Sequence, residues 1–329
     1  MARAERRGVP PGNVREHFLY KVYGITVASE LRLPELVEVK GLNPDATIRF
    51  GVVPKALDHV KASWANCIAS RSECLISVDG VASYHIQYGH SITIERRFAL
   101  SGASSLGDVR SWLLGWVFAT LLHQRGLLPF HVSAVKAPGG VWAFTGVSGE
   151  GKSTLAGYLQ HRFGCELVSD DVSALDPTDT IPIINPGPKR LKLWPDALDF
   201  LELGSNRKIQ DLSGSNKFQI AVDDNYVYYP PRLDGLVSLE TVPNGTSPTI
   251  ERLRGAEAFN VCMSAIYRPL LGFCFNEPDP IMNAVASLCR EIQVYRFRRP
   301  RSFDSFDSSI SILSELLKTP IHDSLPDYS

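Results

Sequence analysis

The stretch that most limits how this chain can fold is Phe144-Thr145-Gly146-Val147-Ser148-Gly149-Glu150-Gly151-Lys152-Ser153-Thr154. It fits G-x-x-x-x-G-K-[ST], a pattern in which a buried strand enters a glycine-rich loop and a helix leaves it. Glycines let such a loop wrap closely around a polyphosphate, so that successive N–H groups face the phosphate oxygens. The positive end of the following helix adds to the attraction. Lys152 is expected to reach the β- and γ-phosphates, and Ser153 to offer its hydroxyl to Mg²⁺. The flanks agree: residues 141–144 read as a buried strand, Leu155, Ala156, Tyr158 and Leu159 have helical spacing, and Gly164 suits a C-cap. The expected nucleotide-binding residues are Gly146, Val147, Ser148, Gly149, Glu150, Gly151, Lys152, Ser153 and Thr154.

At 329 residues the chain has room for about two domains and a sizeable core. The residues are 44% hydrophobic and 21% charged, as in an ordinary soluble protein. A formal net charge of -1 argues against nonspecific nucleic-acid binding. The longest apolar run, 112–122, is too short for a bilayer and reads as a buried helix, so no membrane partner is expected. The start lacks the regions of an export signal, which makes a cytoplasmic location the expectation. Cys67, Cys74, Cys165, Cys262, Cys274 and Cys289 are scattered without a C-x-x-C pair, and read as reduced, buried thiols.

Residues 1–14, with Arg3, Arg6, Arg7 and Pro10-Pro11-Gly12, read as a mobile basic arm. Runs rich in Val, Ile, Tyr and Thr follow at 18–28, 46–53, 73–78, 81–88 and 91–97, with Asp79-Gly80 as a two-residue hairpin signal. They predict a mainly antiparallel, β-rich N-terminal domain over 15–103, with substrate binding and dimerisation equally open as its role. The second domain is expected over 104–329, beginning with a helix at 108–124 that is apolar nearly all round. A strand at 131–135 then leads through Pro138-Gly139-Gly140 into the strand before the glycine-rich loop.

After the loop helix comes Cys165-Glu166-Leu167-Val168-Ser169-Asp170-Asp171, an apolar strand ending in two carboxylates. Adjacent residues on a strand point to opposite sides. One carboxylate can therefore serve Mg²⁺ and the other an incoming hydroxyl; a turn pair that caps the strand is the plainer alternative. His131 opens a strand that should neighbour the loop strand, which could bring its imidazole near the γ-phosphate and Asp170.

His131-Val132-Ser133-Ala134-Val135, the loop at 146–153 and Leu167-Val168-Ser169-Asp170-Asp171 occur in this order and at close spacing. Together they resemble the catalytic domain of bacterial HPr kinase/phosphorylase, whose fold is related to that of phosphoenolpyruvate carboxykinase. The resemblance covers roughly residues 128–175. It implies an α/β fold, with a P-loop kinase domain of that type behind the β-rich N-terminal domain. It also implies that Asp170 handles the proton of a target serine, that His131 sits beside it, and that Ser153 and Asp171 hold the divalent metal. With Lys152, the implied catalytic set is Asp170, His131 and Lys152. The family's Glu-x-Arg-Gly signature has no counterpart, because residues 186–195 read Pro-Gly-Pro-Lys-Arg-Leu-Lys-Leu-Trp-Pro. A kinase with little phosphorylase activity is thereby implied. Val132 and Thr154 also depart from the family's usual Gly and Glu. The β-rich start, Leu-His-Gln-Arg-Gly at 122–126 and Leu-Trp-Pro at 193–195 are more similar to the divergent serine kinases of this group, some of which modify precursor peptides such as lasso peptides.

In the Pro-rich segment 182–195, Lys189, Arg190 and Lys192 can be read as a clamp on a phosphoryl group or as a solvated basic loop. Residues 204–217 are Gly/Ser-rich and read as a mobile loop over the substrate. Strands are expected at 233–239, 249–253 and 293–297, and helices at 256–266, 281–291 and 308–318. Arg290, Arg296, Arg298, Arg299 and Arg301 form a basic cluster, with Arg296 and Arg298 as on an edge strand; a solvated face is the leading reading and an acidic-peptide or phosphate dock the other. The expected activity is transfer of the γ-phosphoryl of ATP, with Mg²⁺, to a serine of a protein or peptide. A catalytically silent nucleotide-binding regulator and a kinase of a small hydroxylated metabolite are the alternatives. Homo-oligomerisation is left open.

Overall fold

The structure, a computed structural model, describes residues 17–96, 98–99, 102–103, 106–203, 208–210, 217–222 and 224–318. The basic arm at 1–14 and most of the Gly/Ser-rich stretch lie outside these residues; within that stretch, Lys208–Gln210 is a strand.

The N-terminal runs build one nine-stranded sheet. Its spatial order is Val37–Glu38, Phe18–Val22, Ile25–Ser29, Ala46–Phe50, Ser91–Arg96, Ala82–Gln87, Glu73–Val78, Cys67–Ala69 and Ala62–Trp64. Pairing is antiparallel except at Ala46–Phe50, which runs parallel to both neighbours. Parallel neighbours need a long crossover, and the excursion through residues 62–87 supplies one. Two expectations change here. The run at 18–28 is a hairpin that turns at Tyr23-Gly24, where both residues take positive φ. The second hairpin pairs Val78 with Ala82, so its loop is the three residues Asp79-Gly80-Val81, with Gly80 at φ 70°. A loop one residue longer than the two-residue hairpin satisfies the turn with a single left-handed glycine.

The helical stretch after this sheet runs Leu106–Trp112, a π-helical turn Leu113–Val117, and Phe118–Gln124. Val109, Leu113, Phe118 and Leu121 pack into one core with Tyr20, Val22, Ile76 and Tyr84 of the sheet. Val172, Ala174 and Leu271 from the later chain complete that core.

A six-stranded mixed sheet carries the rest, in the order Glu166–Ser169, Ser133–Ala137, Gly140–Thr145, Gly235–Val242, Gln293–Pro300 and Thr249–Leu253. Side chains alternate between its faces. Trp142 and Phe144 join the core beneath helices Lys152–Phe163 and Phe306–Lys318. Val141 and Ala143 join the core beneath Gly255–Ala265 and Pro278–Glu291. Helices on both faces explain why this strand is apolar throughout.

Strand order settles a pairing that the sequence left open and departs from the sequence expectation at one strand. The acidic strand pairs with Ser133–Ala137, not with the loop strand. Gln293–Pro300 is interior, lying between Gly235–Val242 and Thr249–Leu253. These two strands therefore do not pair with each other across Pro243-Asn244-Gly245.

Direction matters more than order for the site. Glu166–Ser169 and Gly140–Thr145 are each antiparallel to Ser133–Ala137 and hence run the same way. Gly235–Val242 and Gln293–Pro300 are parallel to the loop strand. The ends of these strands, with the entry into Ser133–Ala137, bring the loop, Asp170-Asp171, Arg299–Arg301 and His131 to one edge. Crevices at such carboxyl edges are the usual ligand sites of α/β sheets.

Candidate functional site

The loop between Gly140–Thr145 and the helix Lys152–Phe163 is shaped by three glycines that no other residue could replace without strain, Gly146, Gly149 (φ 98°) and Gly151. Gly146 has φ 143°, and a Cβ there would stand 2.8 Å from Leu239 O. Gly151, the N-cap, has φ 78°, and a Cβ there would stand 2.8 Å from Arg299 Nη2. Lys152 is only 8% exposed and folds back on its own loop, donating to Gly146 O at 2.8 Å and Val147 O at 3.3 Å. Burial lowers its pKa.

The loop forms one wall of a cavity of about 670 Å³. Ser148 to Thr154 line it, together with His131, Ser133, Asp171 and Lys192. Its lining holds Lys152, Lys192, Lys217, Arg268, Arg299 and Arg301 against Glu150, Asp171 and Asp196, so it is cationic.

Both carboxylates lie just past strand Glu166–Ser169, where strand alternation no longer applies, and the structure treats them unequally. Asp170 is 1% exposed and does not line the cavity. Its Oδ1 accepts from Ser133 Oγ at 2.6 Å and its Oδ2 from Lys192 N at 2.7 Å. Asp171 faces the cavity on a left-handed backbone, φ 79°. Its Oδ2 lies 3.0 Å from Lys192 Nζ and its Oδ1 3.6 Å from His131 Nδ1. Burial alone would raise the Asp171 pKa, but Lys192, His131 and Arg190 outweigh it and hold this carboxyl well below the usual range.

His131 stands just before strand Ser133–Ala137 rather than within it, because its N–H donates to Ala265 O. Its Nδ1 lies 2.8 Å from Asp171 O. A carbonyl only accepts, so Nδ1 carries the proton and Nε2 keeps its lone pair. Burial lowers the His131 pKa, against the opposing pull of Asp171.

Of the basic segment only Lys192 reaches the cavity. Arg190 is 1% exposed and donates to Gln219 Oε1 at 2.8 Å, and the Lys189 N–H donates to Glu35 O. The later arginines divide too. Arg296 is held by Glu240, Glu251 and Glu257, and Arg298 by Glu240 and Glu251, as befits a solvated face. Arg299, 7% exposed, donates to Glu150 O at 3.2 Å, and Arg301 lines the cavity beside it. Trp194, Lys217, Tyr267, Arg268, Phe303 and Phe306 also line the cavity. The Leu-Trp-Pro stretch was a signal for Trp194; Tyr267-Arg268 carries no local motif.

Among the described residues no three His, Cys, Asp or Glu side chains cluster closely enough to hold a metal by themselves. Mg²⁺ commonly takes one or two protein oxygens and completes its shell with phosphates and water, and Ser153 and Asp171 suit that donor set. The six cysteines are free, five of them buried. Among the described residues no helix is long and apolar enough to cross a membrane.

Fold and cleft together define a mixed α/β protein with a glycine-rich loop on a cationic cavity. No protein-family model and no curated protein matches the chain. Among solved structures, the Hpr(Ser) kinase/phosphatase from Coxiella burnetii aligns at 15% identity and a TM-score of 0.29, covering 58% of this chain and 97% of that one. A score of that size assigns no role to any residue here.

Proposed function

We propose that this protein is a phosphotransferase that moves the γ-phosphoryl group of ATP to a serine hydroxyl of a protein or peptide. The observation that carries the reading is one cavity in which Lys152 and Ser153 of the loop face Asp171, His131 and Lys192. The bond from γ-phosphorus to the ADP bridging oxygen breaks as the bond to the serine oxygen forms. ADP leaves with the electron pair. Asp171, the carboxylate of the pair that reaches the cavity, positions the hydroxyl and accepts its proton late. That role was expected of Asp170; burial and two internal hydrogen bonds favour its use as a brace for the Lys192 backbone instead. His131 holds the Asp171 turn through its backbone carbonyl. Mg²⁺ would be held by Ser153 with phosphate oxygens and water, Asp171 being given to the hydroxyl rather than to the metal as expected, and would neutralise charge on the phosphates. The acceptor class, including precursor peptides of ribosomal natural products, rests on the sequence resemblance.

The test is incubation with γ-labelled ATP, Mg²⁺ and candidate peptides, read by intact mass. Transfer is expected with Mg²⁺ or Mn²⁺ and none in EDTA, with little phosphate-dependent reversal. Tight ATP binding without transfer to any hydroxyl would favour the regulatory alternative.

Lys192→Met tests the electrostatics. With the ammonium gone, the Asp171 pKa rises, so the acid limb of the transfer profile should move to higher pH. Stability shifts with the same sign. In the native protein the Asp171 pKa lies below its unfolded value of about 3.9. Its stabilising contribution is therefore present above about pH 4 and is lost as pH falls through the folded pKa. An unmoved acid limb in the folded variant would mean that Asp171 is not the group that titrates.

A further inference from the structure

We propose that Thr241 is a positioning residue for the phosphate loop: its hydroxyl holds the carboxylate of Glu150, the one acid of that loop, at the sheet and away from the phosphates. This deepens the kinase reading above and rests on it.

A carboxylate within a phosphate loop works against it. It repels the phosphates and competes for the cations that should meet them. Residues 146–154 hold a single acid, Glu150, set between Gly149 and Gly151. It lines the cavity beside Lys152 and Arg299. Burial lowers the pKa of both cations, and Glu150 is among the groups that pull them back up. Its charge therefore already reaches the site.

Two neighbouring strands grip this residue. Thr241 of Gly235–Val242 and Arg299 of Gln293–Pro300 stand opposite each other in register, so their side chains leave the sheet on the same face. Thr241 Oγ1 donates to Glu150 Oε2 at 2.5 Å, and Arg299 Nη2 donates to Glu150 O at 3.2 Å. The Glu150 N–H donates to Val147 O at 3.3 Å. A Cβ on Gly146 would stand 3.4 Å from Glu150 Cβ, so the start of the loop lies against the stem of this side chain. Arg299 is fixed in turn, its guanidinium carbon 4.9 Å from the centroid of the Phe306 ring.

These contacts leave Glu150 a single freedom. Its backbone N–H and carbonyl are both held, so only the side-chain torsions remain, and the Thr241 hydroxyl decides them. Glu150, Lys152, Arg299 and Arg301 line the cavity, whereas Thr241 does not, so this bond draws the carboxylate toward the sheet. Without the hydroxyl, the carboxylate is free to turn to Lys152, the cation that must leave Gly146 O and Val147 O for the phosphates. No motif signals the pair. Glu150 fills a variable position of G-x-x-x-x-G-K-[ST], and Thr241 lies 91 positions further on.

Thr241→Val removes the donor and keeps a β-branched side chain that suits a strand. Thr241 is exposed, so the variant should fold with a melting temperature near that of the wild type. Calorimetry then compares Mg·ADP binding by the wild type, Thr241→Val, Glu150→Gln and the double variant. In about 0.1 M salt, Thr241→Val should bind about tenfold more weakly, the weight of one charge brought a few ångströms closer. The loss should shrink in about 1 M salt, where the screening length falls to about 3 Å. The KM for ATP should rise with kcat held, because the charge opposes ground state and transition state alike. Glu150→Gln should tighten binding slightly in the wild-type background and restore most of the loss in the Thr241→Val background. A folded Thr241→Val that binds Mg·ADP as the wild type does overturns the proposal. So does an equal gain from Glu150→Gln in both backgrounds, since the two residues then act independently. In either case a wild type that binds Mg·ADP leaves the nucleotide reading standing. If the wild type does not bind it, that reading fails and this proposal falls with it.

Discussion

Asp171→Asn is expected to keep ATP affinity near that of the wild type and to lose phosphoryl transfer by about 10²-fold or more, the scale of a general-base contribution. The substitution keeps the shape and removes the charge that Lys192 and His131 face. Asp170→Asn is the matched control. Its amide oxygen can accept from the Lys192 N–H and its NH₂ can donate to Ser133 Oγ, so both internal contacts survive with weaker partners. Transfer by that variant should stay within about tenfold of wild type. Asp170→Ala is harsher. It leaves two buried groups without partners, at about 1–3 kcal/mol each, and should lower the melting temperature clearly. ATP affinity, product formation and melting temperature of the three variants separate the roles. Were a stable, ATP-binding Asp170→Asn to lose transfer as fully as Asp171→Asn, the base would be Asp170 after all.

Lys152→Ala should have the largest effect on binding. The ammonium now spans Gly146 O and Val147 O, and it must leave them to meet the β- and γ-phosphates. A charged hydrogen bond of about 1.5–3 kcal/mol corresponds to roughly a tenfold to 150-fold loss in ATP affinity, with turnover falling at least as far. Calorimetry on the folded variant decides. Unchanged affinity would place the nucleotide outside this loop.

Much of the local structure was legible because its signals are short-range. The strand, glycine-rich loop and helix over 140–163 follow from residue types a few positions apart. So do the strands Glu73–Val78 and Thr249–Leu253, and the terminal helix, which begins two residues before the expected Ser308. Interior strands were harder. Gln293–Pro300 carries Arg296 and Arg298 in an edge-like pattern, yet it is interior, with Glu240 and Glu251 of the two neighbouring strands and Glu257 of helix Gly255–Ala265 neutralising those arginines.

The amino-acid sequence by itself determined the loop, its helix and a pair of carboxylates just past a strand end. Which carboxylate turns to the cavity was settled elsewhere. It depends on Lys192, whose backbone N–H captures Asp170 while its ammonium pairs with Asp171. It also depends on Ser133, which lies 37 positions away from Asp170. Arg268 meets Trp116 only because the helical turn Leu113–Val117 and the turn before helix Pro269–Phe275, far apart along the chain, pack together. Such pairings join residues far apart along the chain, and no periodicity within a window of ten or twenty residues can encode them.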